Sequence, residues 1–91
     1  MLITIDRGMI KIKDAANGID YKGAFTGDRF QNSKSIVFCE INTDKVCRLL
    51  LYKEGRITEI AEDSEIEIFY SDLNIDHILF TKKGKNKCGF R

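Results

Sequence analysis

Residues 35–53 read SIVFCEINTDKVCRLLLYK, and no other stretch says more about the fold. Its two halves, 35–41 and 46–53, are mostly consecutive apolar residues, and a polar turn separates them. Alternating side chains of a strand point to opposite faces, so each half predicts a strand that is apolar on both faces. The four apolar rows are Ile36 with Phe38, Val37 with Cys39 and Ile41, Leu49 with Leu51, and Val46 with Leu50 and Tyr52. Such strands need cover on both sides, so we expect this hairpin at the centre of the fold.

In the rest of the chain apolar and polar residues alternate in shorter runs separated by Gly, Asn, Asp and Ser, which is typical of half-buried strands between turns. The further predicted strands are a hairpin with Ile3 and Ile5 on one arm and Ile10 and Ile12 on the other, then 19–26, 56–61 and 65–70. The predicted turns lie at Arg7-Gly8, Asn17-Gly18, Gly27-Asp28, 31–33, Glu54-Gly55 and 62–64.

Residues 72–83 fit two structures. Alternating apolar residues from Ile75 to Phe80 suit a strand, whereas Ser71 as an N-cap and Gly84 after two lysines suit a short helix. We favour the strand, because the neighbouring elements are all strands. The predicted fold is all-β: a small antiparallel sandwich or barrel of seven to eight strands, with 1–81 as a single domain and 82–91 as a basic, flexible C-terminal tail.

Composition limits the function. The chain has 91 residues, no proline, 15 Lys and Arg against 14 Asp and Glu, and 43% hydrophobic residues. The apolar content excludes a disordered chain, and the net charge of +1 excludes affinity for polyanions through net charge alone. No apolar run approaches 18 residues and no leader pattern opens the chain, so we expect no membrane insertion by the chain as given.

The near-neutral charge hides two opposed segments. The acidic segment, a predicted acidic binding face, comprises Glu59, Glu62, Asp63, Glu65, Glu67, Asp72 and Asp76. The basic segment, a predicted basic binding tail, comprises Lys82, Lys83, Lys85, Lys87 and Arg91. The acidic face either attracts a basic protein surface or only protects a strand edge from aggregation. The tail either contacts nucleic acid, with Phe90 stacking on a base, or folds back on the acidic strand as a solvated terminus, which we favour.

Catalytic and metal-binding patterns are missing from the sequence. His77 is the only histidine and no nucleophile motif accompanies it, so we expect a protein that is not an enzyme and has no metal or cofactor. The three cysteines form no Cys-x-x-Cys pair. Cys39 and Cys47 lie on adjacent predicted strands, where they form a disulfide or pack in the core as small apolar residues; the sequence leaves both open.

Residues 35–60 resemble the closing hairpin of minor pilins and pseudopilins of the type IV pilus, type II secretion and competence machineries. The similarity rests on a cysteine-bearing strand, SIVFCEI, followed by an aliphatic strand that ends in Gly55-Arg56-Ile57, with Phe25-Thr26-Gly27 and Asn32-Ser33 fitting the preceding loop. The family's N-terminal apolar helix has no counterpart here, so the resemblance implies a trimmed or rearranged globular domain. It implies assembly and surface binding outside the cell, with a filament subunit as partner.

Two other interpretations of the sequence imply different functions. Residues 17–23, NGIDYKG, are similar to the second strand of Sm-like RNA-binding proteins, which implies a small β-barrel nucleic-acid binder. The small size and the Lys- and Ile-rich composition are also typical of cytoplasmic phage proteins that inhibit a host defence enzyme by binding it. In all but the nucleic-acid case the expected partner is another protein: a filament subunit, a host target or a second copy of the chain.

Overall fold

Nine β-strands and one turn of 3-10 helix make up the part of the chain that the computed structural model describes, residues 2–83 and 87–90. The all-β prediction is confirmed, with nine strands instead of seven to eight. In chain order they are β1 Leu2–Asp6, β2 Met9–Asp14, the 3-10 turn Ala15–Asn17, β3 Ile19–Gln31, β4 Ile36–Ile41, β5 Cys47–Lys53, β6 Arg56–Asp63, β7 Ile66–Ser71, β8 Ile78–Lys82 and β9 Lys87–Phe90.

Strands β1 to β6 form one antiparallel sheet in sequence order. Two of its hairpins close with two-residue turns in which both residues have positive φ: Arg7 at 51° and Gly8 at 75°, then Glu54 at 53° and Gly55 at 76°. This is the type I′ conformation, whose twist matches that of the paired strands. Both turns were predicted from the sequence.

Strand β3 is longer than predicted. The predicted turn at Gly27-Asp28 is wrong, because the strand continues to Gln31 through a register shift between Thr26 and Phe30. The positive φ of Gly27, 73°, serves this irregularity instead of a chain reversal. Before the shift β3 pairs mainly with β2, and after it with β4, so the strand carries the sheet round a corner.

The sheet curls round one apolar cluster. The buried members are Ile10, Ile12, Ile36, Phe38, Leu50 and Tyr52. The first and last strands both contribute to it, since Ile3 and Ile5 of β1 and Ile57 of β6 pack against the same cluster.

Strands β7 to β9 form a second antiparallel sheet that packs on the other face of β4 and β5. The cluster between the sheets comprises Val37, Cys39, Cys47, Leu49, Leu51, Ile66, Ile68, Ile75, Ile78 and Phe80. The central hairpin therefore has a core on each face, as the sequence predicts. We call β1–β6 the large sheet and β7–β9 the small sheet.

The structure also describes most of the segment after Ser71. A turn follows β7, and β8 begins at Ile78, so the strand alternative for 72–83 holds over Ile78–Lys82 and no helix forms in its described part, 72–83. Within the predicted tail, Lys87–Phe90 form β9 and pair with β8.

Candidate binding surfaces

The seven acidic residues of the predicted binding face lie in three places. Glu59, Glu62 and Asp63 are on β6, Glu65 and Glu67 are at or on β7, and Asp72 and Asp76 are in the turn before β8. Glu59 accepts a hydrogen bond from Arg48 at 3.3 Å. The acidic segment is therefore divided between an edge of the large sheet, the small sheet and a turn.

Asp72 and Asp76 hold the turn between β7 and β8. The Asp72 carboxylate accepts hydrogen bonds from the backbone N–H groups of Asp76, at 2.7 Å, and His77, at 3.0 Å. These two bonds hold the pKa of Asp72 below its usual value, and the bond from His77 has the larger effect. Asp76 forms an ion pair with Lys53, whose amino group also donates to the carbonyls of Asn74 and Ile75. Both carboxylates are thus engaged within the chain.

The described basic residues of the predicted tail belong to the small sheet and its turn. Lys82 ends β8, Lys83 follows it, and Lys87 begins β9. Lys85 and Arg91 lie outside the described residues. Glu65, Glu67, Lys82 and Lys83 line one shallow depression, so acids and bases of the two segments meet on the same sheet.

Cys39 and Cys47 are free thiols in the structure, and both are buried. Cys39 lies opposite Leu49 and Cys47 opposite Ile41, so the two cysteines are diagonal neighbours on one face and not a directly paired position. Burial raises the pKa of the Cys39 thiol to about 12. In this state both act as small apolar core residues.

A cleft of about 870 Å³ lies beside the 72–77 turn. At its floor Asp14, 5% exposed, accepts hydrogen bonds from the Tyr52 hydroxyl at 2.5 Å and from Asn17 at 2.8 Å. The bond from Tyr52 and, to a smaller extent, the bond from Asn17 lower the pKa of Asp14. The bond between Tyr52 and Asp14 also raises the pKa of Tyr52 to about 12. In the described part of the chain every buried side-chain nitrogen and oxygen has a hydrogen-bond partner. The polar floor of this cleft therefore stabilises the fold, because its buried groups satisfy one another.

A second polar network links three strands of the large sheet. Glu40 accepts hydrogen bonds from the Tyr21 hydroxyl and from Arg48 Nε, the latter at 2.8 Å. Burial, and then the bond to Glu40, raise the pKa of Tyr21. As in the cleft, the donors and acceptors satisfy one another.

Unlike the two polar networks, the outer face of the small sheet exposes apolar side chains to solvent. Of the large apolar side chains that are exposed among the described residues, Phe69, Tyr70, Leu73 and Leu79 belong to β7, β8 or their turn, and only Leu2 lies elsewhere. Phe69 is 40%, Tyr70 47% and Leu79 39% exposed. An apolar area with a charged rim is typical of a protein-binding surface.

The register of the small sheet arranges this outer face in two rows. One row is Glu67, Thr81 and Lys87, and the next is Tyr70, Leu79 and Gly89. A register shift between Ile68 and Tyr70 inserts Phe69 as an extra residue, so Phe69 and Tyr70 are both exposed. The Lys87 amino group lies 5.2 Å from the centroid of the Phe69 ring. Tyr70, His77, Leu79, Gly89 and Phe90 line a depression of about 380 Å³ in this face.

Sequence reasoning recognised the charges of the small sheet but missed this apolar face. One signal was available: Phe69 and Tyr70 are adjacent aromatic residues at the end of an alternating strand, which breaks the period of two. An interrupted alternation indicates a bulge or a face that is apolar where solvent is expected.

Residues 2–83 and 87–90 contain no group of three or more His, Cys, Asp or Glu side chains placed to hold a metal ion. His77 is exposed and lies 3.6 Å from the Asp72 carboxylate. In the same ranges no helix has the length and apolar character needed to cross a membrane. No protein-family model, curated protein or solved structure matches the chain.

Proposed function

We propose that this protein is a non-catalytic binding and assembly domain that contacts another protein through the outer face of the small sheet. The observation that carries the proposal is the exposed aromatic and aliphatic group Phe69, Tyr70 and Leu79 beside the charged residues Glu67 and Lys87. These side chains are 39–47% exposed, so a partner that covers the exposed part of each would contribute roughly 0.6–1.5 kcal/mol per side chain. An exposed face of this kind therefore supports docking of a protein.

The rest of the molecule supports the same proposal. The buried polar groups in the cleft beside the 72–77 turn hydrogen-bond to one another and so contribute to the fold. The outer face, by contrast, has the apolar residues Tyr70 and Leu79 beside a row with a charged residue at each end, and protein interfaces also combine apolar and charged groups.

The sequence suggests two kinds of protein partner. The pilin-like resemblance favours a filament subunit, and the likeness to small phage proteins favours a host enzyme. One experiment on this face tests whether a partner docks on the apolar group and identifies which kind it is.

The test is photo-crosslinking in the native host cells. A photoreactive amino acid replaces Leu79 at the centre of the face, or Lys11, an exposed residue of β2, as the matched control. We expect a crosslinked product of discrete mass from position 79 and none from position 11. Mass spectrometry then identifies the captured chain as a filament subunit, a host enzyme or the protein itself. Absence of a product at position 79, or the same products at both positions, would contradict the proposal.

A further inference from the structure

We infer that the outer face of the small sheet binds a second copy of the chain, in a two-fold symmetric dimer whose axis runs parallel to β8. The inference rests on the proposed function and names its partner. It is argued from the two rows of this face, Glu67–Thr81–Lys87 and Tyr70–Leu79–Gly89.

The first argument is charge complementarity. Strand β8 lies between β7 and β9, so Glu67 and Lys87 are on opposite sides of Thr81 in one row. A two-fold axis parallel to β8 places β7 of one copy over β9 of the other. Each Glu67 then faces Lys87 of the second copy, and symmetry forms this ion pair twice.

The second argument is size complementarity. The same rotation places each Tyr70 over Gly89 of the second copy, and Leu79 over Leu79. Because Gly89 has no side chain, it leaves the depression of about 380 Å³ that Tyr70, His77, Leu79 and Phe90 surround. A tyrosine ring entering each depression would exclude water from both rows.

The alternative two-fold axis, across the strands, lacks this match. It would turn the row Glu67–Thr81–Lys87 onto the row Tyr70–Leu79–Gly89. A carboxylate would then face Tyr70 and an ammonium group would face Gly89, and both charges would lose hydration without an opposite charge. The register therefore favours the axis along β8.

The size of the face limits the affinity. Three strands about 4.8 Å apart and about five residues long, at roughly 3.3 Å per residue, present much less than the roughly 800 Å² per partner of a standard interface. We therefore expect a weak dimer with a dissociation constant on the order of micromolar. In each monomer Lys87 lies over its own Phe69 ring, so dimerisation exchanges this cation–π contact for the ion pair.

Sedimentation equilibrium of the purified chain, whose mass is 10.4 kDa, tests the dimer at concentrations from about 1 μM to several hundred μM. Glu67→Lys and Lys87→Glu should each weaken dimerisation about tenfold or more, because each puts like charges opposite each other twice. Mixing the two variants should restore dimers of mixed composition. In such a dimer the two introduced side chains face each other at one site, and the native Glu67 and Lys87 face each other at the other site. Lys11→Glu, the same charge change on β2, should leave dimerisation unchanged.

A second variant, Gly89→Leu, tests the size argument independently of charge. A Cβ atom at position 89 would meet Leu79 Cδ2 at 3.4 Å, an ordinary contact, so we expect the monomer to fold and the filled depression to reject Tyr70. Circular dichroism verifies folding.

Three results would overturn the inference: a wild-type chain that stays monomeric at several hundred μM, a mixture of charge variants that forms no dimer, or a Gly89→Leu chain that dimerises like the wild type. Crosslinking of Leu79 to a different protein in cells, together with a monomeric chain in solution, would reject the dimer and leave the proposed function standing.

Discussion

Asp14 is nearly buried at the floor of the cleft beside the 72–77 turn, where the hydroxyl of Tyr52 and the amide of Asn17 donate to its carboxylate. A buried carboxylate is tolerated only with such donors, because burial without them forfeits its hydration. The three residues come from the end of β2, the 3-10 turn and the end of β5. This network therefore ties the N-terminal hairpin to the central one.

The lowered pKa of Asp14 predicts a specific pH dependence of stability. The folded protein holds the charged form more tightly than the unfolded chain, whose aspartate has a pKa near 3.8. The stabilisation is present above this value and is lost as the pH falls through the lower folded pKa. Asp14→Asn should therefore destabilise the protein at pH 7, and the difference from the wild type should shrink toward pH 2.5.

Urea unfolding followed by circular dichroism measures both free energies at each pH. Protonated Asp14 resembles asparagine in shape and charge, which is why the two proteins should converge in acid. A difference that does not change with pH would show that the carboxylate charge contributes nothing. Asp72 also has a lowered pKa, so some acid dependence should remain in the variant.

Single residues were predicted unevenly from the sequence. The faces of Ile36, Phe38, Leu49 and Tyr52 were predicted because alternation alone determines them. The partners of Asp14 could not be predicted, since they depend on which strand ends meet in space. The distribution of the acidic segment over two sheets and a turn could not be predicted for the same reason, because the chain reverses within it.

At the scale of elements, the two type I′ hairpin turns allow a comparison between backbone strain and steric contact. Gly8 and Gly55 both have positive φ, 75° and 76°. A Cβ atom at Gly8 would meet nothing within 4 Å, whereas one at Gly55 would lie 2.7 Å from the Asn17 side chain. The first turn is open, and the second packs against the 3-10 turn.

We predict that Gly8→Ala destabilises the protein by about 1 kcal/mol. A residue with a Cβ atom is strained at positive φ, and at this position the added Cβ atom meets no neighbour, so the strain is the whole cost. Gly55→Ala should cost more, about 2 kcal/mol or above, because Asn17 must also move and Asn17 donates to Asp14. Chemical denaturation of both variants measures the two free energies of unfolding. Equal losses would show that the contact with Asn17 is relieved without cost.

The elements themselves were largely predictable, because period-two alternation and Gly-containing turns are local signals. The end of β3 was not. Gly27-Asp28 has the composition of a turn, but the strand continues through a bulge, and only pairing of Phe30 and Gln31 with β4 distinguishes the two outcomes. The residues around Gly27 do not indicate which strand they will pair with, so the local sequence cannot predict this pairing.

At the scale of the whole molecule, β4 and β5 are shared by two apolar clusters. Ile10 and Phe38 belong to the cluster inside the curled sheet, and Cys39 and Ile78 to the cluster beneath the small sheet. The sequence predicted that the central hairpin would be covered on both faces. It did not predict which elements cover it, because the corner in β3 and the return of β7–β9 are properties of the assembled sheet.

Sharing one pair of strands should make unfolding cooperative, since loss of either cluster exposes one face of the same hairpin. Ile10 and Ile78 are fully buried, one in each cluster, so Ile10→Val and Ile78→Val should each cost about 0.5–1.5 kcal/mol. Circular dichroism reports on all strands, and alkylation of the buried Cys39, identified by peptide mass spectrometry, reports on the cluster beneath the small sheet. If the molecule unfolds as one unit, each variant shifts both transitions by the same amount. If the small sheet detaches first, Ile78→Val advances Cys39 alkylation and Ile10→Val does not, which would show that the proposed binding surface unfolds independently of the curled sheet.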